Sequence, residues 1–247
     1  VGTYALGTNS TGQFNVGVGN SALNDNTTGD KNIAIGVRAL KANTTANNNT
    51  AIGYQALCLN TTGKCNVAVG HCSMSRTTTG SFNAALGRKS LALNTIGCNN
   101  VALGNSALGA NTTGNFNTAV GSSAMGLNTI GQRNTAVGNF ALYKNTTGTD
   151  NVAVGAYSLD ANTTSSYCTA LGYAALSANT TGAHLTAVGR GALAANTTAD
   201  SNTAVGSYSL NDVTTGARNT SVGRSALANT TGSDDIVAIG YYACANP

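Results

Sequence analysis

The stretch Asn117-Thr118-Ala119-Val120-Gly121-Ser122-Ser123-Ala124-Met125-Gly126-Leu127-Asn128-Thr129-Ile130-Gly131-Gln132-Arg133, with Asn134 opening the next copy, contains the whole architecture in seventeen residues. A short β-prone run ends at Gly121, two variable residues follow, and Ala-Met precedes a turn written Asn-Thr-Ile-Gly. The glycine returns at Gly2, Gly19, Gly36, Gly53, Gly70 and so on to Gly206, Gly223 and Gly240, fifteen times in one register. A fixed period of this length is the mark of a solenoid, in which one rung cannot bury its apolar face without its neighbours. Seventeen residues are too few for an α-helical hairpin repeat, which needs about thirty or more. The reading is therefore all-β: a parallel β-solenoid of about fifteen 17-residue rungs, each with two short strands and two turns. It covers residues 1–247 as a single repeat domain.

Three columns set the inside and outside of such a coil. The residue before the glycine is Val, Ile or Leu, as at Val18, Ile35, Ile52, Val69 and Leu86. The residue before that is almost always Ala, and the one before that is Val, Ile or Thr in nearly every rung. Side chains alternate across a strand, so the large residues share one face and Ala the other. Four places after the glycine runs a Leu/Met column, Leu23, Leu40, Leu57, Met74, Leu91, Leu108 and Met125, continuing to Leu227. It is expected to form a core ladder against the Val/Ile/Leu column. The Ala strip is then left outside, and burying it calls for like chains to meet along a common axis. The expected interface is Ala34, Ala51, Ala68, Ala102, Ala119 and Ala136. The competing arrangement turns Ala into a flattened core within one chain.

The turns are built on Asn and Gly, which accept the left-handed backbone of a tight turn. Asn26 to Gly29, Asn60 to Gly63, Asn111 to Gly114 and Asn145 to Gly148 repeat the motif, and stacked Asn side chains can pair from rung to rung. A second Asn column lies four places before the glycine, at Asn32, Asn66, Asn83, Asn100 and Asn134. Several Asn-Thr-Thr triplets match the glycosylation sequon, but turn geometry explains them in every rung. Near Asn229 the turn residues come one place early, and register returns by Gly240.

Composition excludes several classes of function. Charged residues make up 8% of the chain, and the net charge of +4 is spread thinly, which argues against a nucleic-acid or membrane patch. No apolar run approaches the ~20 residues of a membrane-spanning helix, so no membrane insertion is expected of this segment. The six cysteines share no column in adjacent rungs and show no paired zinc spacing. A bridge among Cys58, Cys65 and Cys72, or one between chains, stays open. His71 and His184 stand in different columns many rungs apart, and no helix follows the glycines to form a phosphate loop. No catalytic, cofactor or metal site is expected, and the protein is read as non-enzymatic. The chain opens on Val1-Gly2 and stops at Asn246-Pro247, both within a repeat, and is expected to be a stretch of a longer fibre protein.

The positions free to carry recognition are the two after each glycine. They hold Tyr4, Arg38, Tyr54, His71, Arg88, Lys89, Phe140, Tyr157, Tyr173, Arg190, Tyr208, Arg224, Tyr241 and Tyr242. Tyr and Arg are enriched in binding hot spots, so this edge is the expected ligand-contact stripe. Free drift of surface residues is the alternative.

The unit Asn-(Thr/Val)-Ala-(Val/Ile)-Gly-x-x-(Ala/Ser)-Leu, as in Asn32 to Leu40, Asn66 to Met74, Asn117 to Met125 and Asn151 to Leu159, resembles the head repeat of YadA-like trimeric autotransporter adhesins. It is equally similar to the Asn-Thr-Thr-Gly repeats of bacteriophage tail fibres and bacterial surface proteins. The resemblance spans essentially the whole chain, although the adhesin head repeat is typically nearer fourteen residues. It implies a left-handed β-roll, a homo-oligomer of three chains about one axis, and an extracellular role on a cell surface or virion fibre. Attachment would be to a surface receptor or matrix ligand. A tail-fibre shaft is the second reading. Ice binding is the third, and the interruption of the strand Thr column by Val16, Ile33, Val67, Ala84, Val101 and Val152 argues against it.

Overall fold

The computed structural model describes residues 2–245; Val1, Asn246 and Pro247, the mid-repeat ends noted above, lie outside the described residues. The protein is an all-β parallel solenoid of about thirteen turns, with one strand per 17-residue repeat. The chain divides into two compact units, up to Ser123 and from Ala124 onward, where the sequence suggests one repeat domain. Each rung of a solenoid contacts only its neighbours, so contacts do not tie the full length into one cluster.

The first unit holds β1 (Val16–Val18), β2 (Ile33–Ile35), β3 (Thr50–Ile52), β4 (Val67–Val69), β5 (Ala84–Leu86), β6 (Val101–Leu103) and β7 (Thr118–Val120). The second holds β8 (Thr135–Val137), β9 (Val152–Val154), β10 (Thr169–Leu171), β11 (Thr186–Val188), β12 (Thr203–Val205), β13 (Thr220–Val222) and β14 (Val237–Ile239). Within each unit the strands stack in chain order, and each residue pairs with the one seventeen places on. Val16 pairs with Ile33 and Val18 with Ile35, and the offset is the same between Thr169 and Thr186 in β10 and β11. Rung-to-rung backbone bonds are short: Gly36 N donates to Val18 O at 2.7 Å and Leu40 N to Ala56 O at 2.9 Å.

The expected two strands per rung reduce to one. The Ala-Leu segment after the glycine forms a turn instead, because two of its residues adopt positive φ. Leu23, Leu40 and Leu57 have φ of 52°, 51° and 50°, and Ser21, Arg38 and Gln55 two places earlier have 54°, 57° and 53°. The left-handed region costs a non-glycine residue on the order of 1–2 kcal/mol. Stacking supplies the compensation, since Leu23, Leu40 and Leu57 each donate their N–H to the next rung and bury their side chains completely.

The faces of the strand are the reverse of the first expectation. Ala34, Ala51, Ala68, Ala102, Ala119 and Ala136 all have zero exposure within the single chain, so the Ala strip is not an oligomer interface. The flanking Val and Ile residues point outward, with Val16 at 46% and Ile35 at 39% exposure. They are not the wall facing the Leu/Met column. The physical cause is visible at Gly17, which takes the Ala position in β1: a Cβ placed there would lie 3.1 Å from Leu6 Cγ. The middle of each strand faces the Leu of a neighbouring rung, and the narrow coil takes only small residues there: Gly17, Ala in most strands, and Ser221 in β13, whose buried hydroxyl bonds to Ser209 and to Ala226 O. The Leu/Met ladder itself is fully buried, as expected.

Both Asn columns form internal ladders with fully buried side chains. Asn43 Nδ2 donates to Asn26 Oδ1 at 2.8 Å and to Ala46 O at 3.0 Å. In the second column Asn49 N donates to Asn32 Oδ1 and Asn66 N to Asn49 Oδ1, each at 3.0 Å. The amides of the Asn-Thr-Thr sequon asparagines from Asn26 to Asn196 are therefore committed inside the coil, whereas Asn229 is exposed. At the irregular turn the backbone keeps its register: Thr230 occupies the buried Asn position in place of Asn229, and Ser233 O accepts from Asn219 Nδ2 at 2.7 Å.

Candidate functional site

The two residues after each repeat glycine project from one edge of the coil. The second of them has positive φ in every described rung, and where it has a side chain, that side chain is at least partly exposed in all of them but Ser225. The 17-residue register then stacks edge residues of successive rungs. In the first unit Tyr54 and His71 are parallel within 19°, with centroids 5.2 Å apart. Tyr4 is exposed, and among the described residues no ring contact or ion pair joins Arg38, Arg88 or Lys89 to another side chain.

In the second unit the same columns make two runs of contacts, Phe140 to Tyr208 and Arg224 to Tyr242. Phe140 stacks on Tyr157 with centroids 5.7 Å apart and planes 8° apart, and Tyr157 meets Tyr173 edge-on at 6.1 Å. Arg190 Cζ lies 5.8 Å from the Tyr173 ring and 5.5 Å from the Tyr208 ring, placing the guanidinium in cation–π range of both. Two rungs on, Arg224 lies 5.6 Å from Tyr241 and 6.0 Å from Tyr242, and its Nη1 donates to Tyr241 Oη at 3.1 Å. Tyr241 and Tyr242 meet edge-on at 4.5 Å.

Charge is sorted around the coil. All eight acidic residues are Asp, and none stands in the two edge columns, which carry Arg38, Arg88, Lys89, Arg190 and Arg224. The ion pairs of the described residues lie elsewhere, in the turn before each strand. Arg133 Nε pairs with Asp150 Oδ1 at 2.7 Å, and Arg218 pairs with Asp235 at 2.7 Å and Asp234 at 3.4 Å. The hydrogen bond from Arg133 holds the Asp150 carboxyl below its usual range, and Arg218 does the same for Asp235.

That turn holds a second decorated column which the sequence reading passed over. Phe14, Phe82, Phe116 and Tyr167 are exposed there, and Tyr167 stacks on His184 at 5.1 Å. The signal was present as a large side chain immediately before the buried Asn, as in Phe82-Asn83 and Phe116-Asn117. A third feature is the strand face itself. Its outward positions carry Val, Ile, Leu, Thr and one Ala, with no charged residue in any rung.

All six thiols are free, including Cys58, Cys65 and Cys72. Burial pushes the Cys168 and Cys58 thiols up from the ordinary value. Among the described residues no group of three or more His, Cys, Asp or Glu side chains is placed to hold a metal ion, and no helix is long and apolar enough to cross a membrane.

Fold and edge together define a β-solenoid whose decoration is aromatic and basic on one side and apolar on its strand face. No protein-family model, curated protein or solved structure matches the chain.

Proposed function

We propose that the chain is a non-enzymatic segment of an extracellular fibre, homo-oligomeric and trimeric, that holds an adhesive edge away from its anchoring surface. The observation that carries this reading is the uncharged outward ribbon of the strands, such as Ile33 and Ile35 of β2, Thr50 and Ile52 of β3 and Val67 and Val69 of β4. A soluble monomer rarely leaves a contiguous apolar patch of more than about a few hundred Å² in water, and this ribbon recurs on strand after strand. Like copies packed face to face would cover it. The interface proposed is thus the Val/Ile/Leu columns and not Ala. A bacteriophage tail-fibre shaft would use the same physics.

Sedimentation equilibrium tests the reading. A mass three times the 24.5 kDa of one chain is expected. The double substitution Ile35→Lys with Ile52→Lys should return it to one chain with the β-rich circular dichroism retained. A wild-type monomer at all concentrations would overturn the proposal.

A second reading gains from the inward turn of Ala. Thr169, Thr186, Thr203 and Thr220 stand in register on the outward face of β10 to β13, each followed two places on by Leu or Val. A regular, uncharged Thr/Val face suits binding to ice. Thermal hysteresis in a monomeric sample would support that reading, and its absence would dismiss it.

A further inference from the structure

We propose that the edge centred on Arg190 and Arg224 is a binding site for an acidic polysaccharide, with uronate carboxylates received by the two guanidinium groups. This deepens the reading of the segment as a presenting surface and rests on that part of it, but not on trimer formation.

Four observations converge. Arg190 and Arg224 are separated by two repeats in the same column, which at the parallel-strand spacing places their backbones ~10 Å apart. That is a distance of the order of two pyranose units. Neither guanidinium has a carboxylate partner among the described residues, whereas Arg133 and Arg218 in the other turn are both ion-paired. A guanidinium whose faces meet rings keeps in-plane N–H donors, the geometry that takes a carboxylate in bidentate fashion. The third observation is that the tyrosines are positioned by this arrangement: Arg190 touches Tyr173 and Tyr208, and Arg224 touches Tyr241 and Tyr242. The Tyr241 hydroxyl sits beside the Arg224 cation, accepting from its Nη1 at 3.1 Å, and phenol hydroxyls both donate and accept, as a sugar ligand requires.

The fourth is Gly191. A Cβ at that position would lie 2.9 Å from Tyr208 Cδ1 and 2.9 Å from Cε1. Most rungs carry a side chain in this column, and here its absence lets the Tyr208 ring lie against the backbone next to Arg190. The Arg190 pair is therefore shaped by more than surface drift.

A single-stranded nucleic acid is the other polyanion to weigh. It binds by stacking bases on open aromatic faces along a charged groove. Here Phe140 and Tyr157 already stack on each other, and the rings nearest the cations are within range of a guanidinium. One Arg per two rungs is also sparse against a phosphate at every nucleotide. The edge suits a ligand with spaced carboxylates and abundant hydroxyls.

The test is titration of the whole 247-residue chain with polygalacturonate, neutral dextran and poly-dT at low and physiological salt, with the sedimentation mass measured on the same sample. Binding of polygalacturonate that weakens with salt, and none of dextran, is expected. Arg190→Gln with Arg224→Gln should weaken it at least about tenfold, the loss of two charge-assisted contacts. Arg133→Gln, which lowers the net charge on the other turn, should leave it unchanged. Equal binding of dextran, tighter binding of poly-dT, or equal losses in the Arg133 and the double Arg variants would each overturn the proposal. A monomeric sample that binds polygalacturonate would overturn trimer formation while leaving this inference standing.

Discussion

The Tyr208 ring occupies the space that a side chain at Gly191 would fill, 2.9 Å from where its Cβ would be. Gly191 has φ of +62°, which Ser, Arg, Gln, Lys and Tyr also adopt at the same place in other rungs. Backbone strain therefore does not explain the glycine, and steric room does. Gly191→Ser should keep the fold but lower stability by about 1–2 kcal/mol, the cost of a non-glycine residue in the left-handed region. It should displace Tyr208 from Arg190 and change tyrosine fluorescence. Polygalacturonate affinity should fall in the same variant. Unchanged fluorescence and affinity would show that the ring does not depend on the missing side chain.

The Asn ladder is broken at Thr77, and the consequence falls on the rung before it. Asn60 Nδ2 donates to Asn43 Oδ1 at 3.0 Å, yet Asn60 Oδ1 is buried without a hydrogen-bond partner. In the regular ladder the next residue of the column supplies that donor, but Thr77 only accepts, from Asn94 Nδ2 at 3.4 Å. Thr77→Asn should restore the bond and stabilise the protein by about 1 kcal/mol, the net worth of satisfying one buried acceptor. Urea unfolding monitored by circular dichroism reads this directly. A destabilised variant would mean that the site lacks room for the second amide.

The 17-residue period, the buried Leu108 and Met125 and both Asn ladders were legible because each is a column repeated in register. Strand alternation separated Ala119 from Thr118 and Val120 but was silent on which side faces inward. That choice depends on coil width, because a one-strand rung places Ala opposite Leu with no room for a larger pair. The left-handed Leu residues were hidden for a different reason: Leu has no intrinsic preference for that region, and only the stacked neighbours impose it. At the edge, Tyr173 and Arg190 were visible as a column. The contact of Tyr157 with Tyr173 crosses between two columns and depends on side-chain reach, which spacing does not specify. The column of Phe82 and Phe116 was hidden because it is mixed, with Lys31, Asn48, Cys65, Arg133 and Asp150 at the same place in other rungs.

The repeat glycine is required by contact as well as by φ. Gly70 has φ of +133°, and a Cβ there would lie 2.5 Å from Gly87 O and 2.7 Å from Gly87 C in the next rung. Backbone cannot swing aside as a side chain can. Gly70→Ala should cost about 2–5 kcal/mol from strain and overpacking together. Because a solenoid can open locally, hydrogen exchange in the neighbouring rungs is the appropriate readout. Gly109→Ala serves as the comparison, since its nearest neighbour would be Ser106 O at 3.1 Å and its column carries side chains in other rungs. Equal protection in the two variants would show that the close approach of Gly70 to Gly87 is not limiting.

Two aspartates should respond to pH in opposite directions. Asp160 is half-buried, its Oδ1 has no hydrogen-bond partner, and desolvation pushes its pKa up despite the pull of Lys144. An acid with a raised folded pKa favours the folded state when protonated, so its penalty is full above that pKa and vanishes below the unfolded value of about 3.9. Asp160→Ser should therefore raise stability at pH 7, by less than about 1 kcal/mol because water still reaches the group, and do nothing at pH 3. Asp150 carries the opposite sign, since its hydrogen bond to Arg133 lowers the folded pKa. Its contribution is present above about pH 3.9 and is lost as the pH falls through the lower folded value. Asp150→Asn should accordingly be neutral to destabilising at pH 7, and that difference should fade in acid. Thermal melts of the two variants from pH 3 to 7 check both signs, and parallel curves would show that neither environment differs between the folded and unfolded chain.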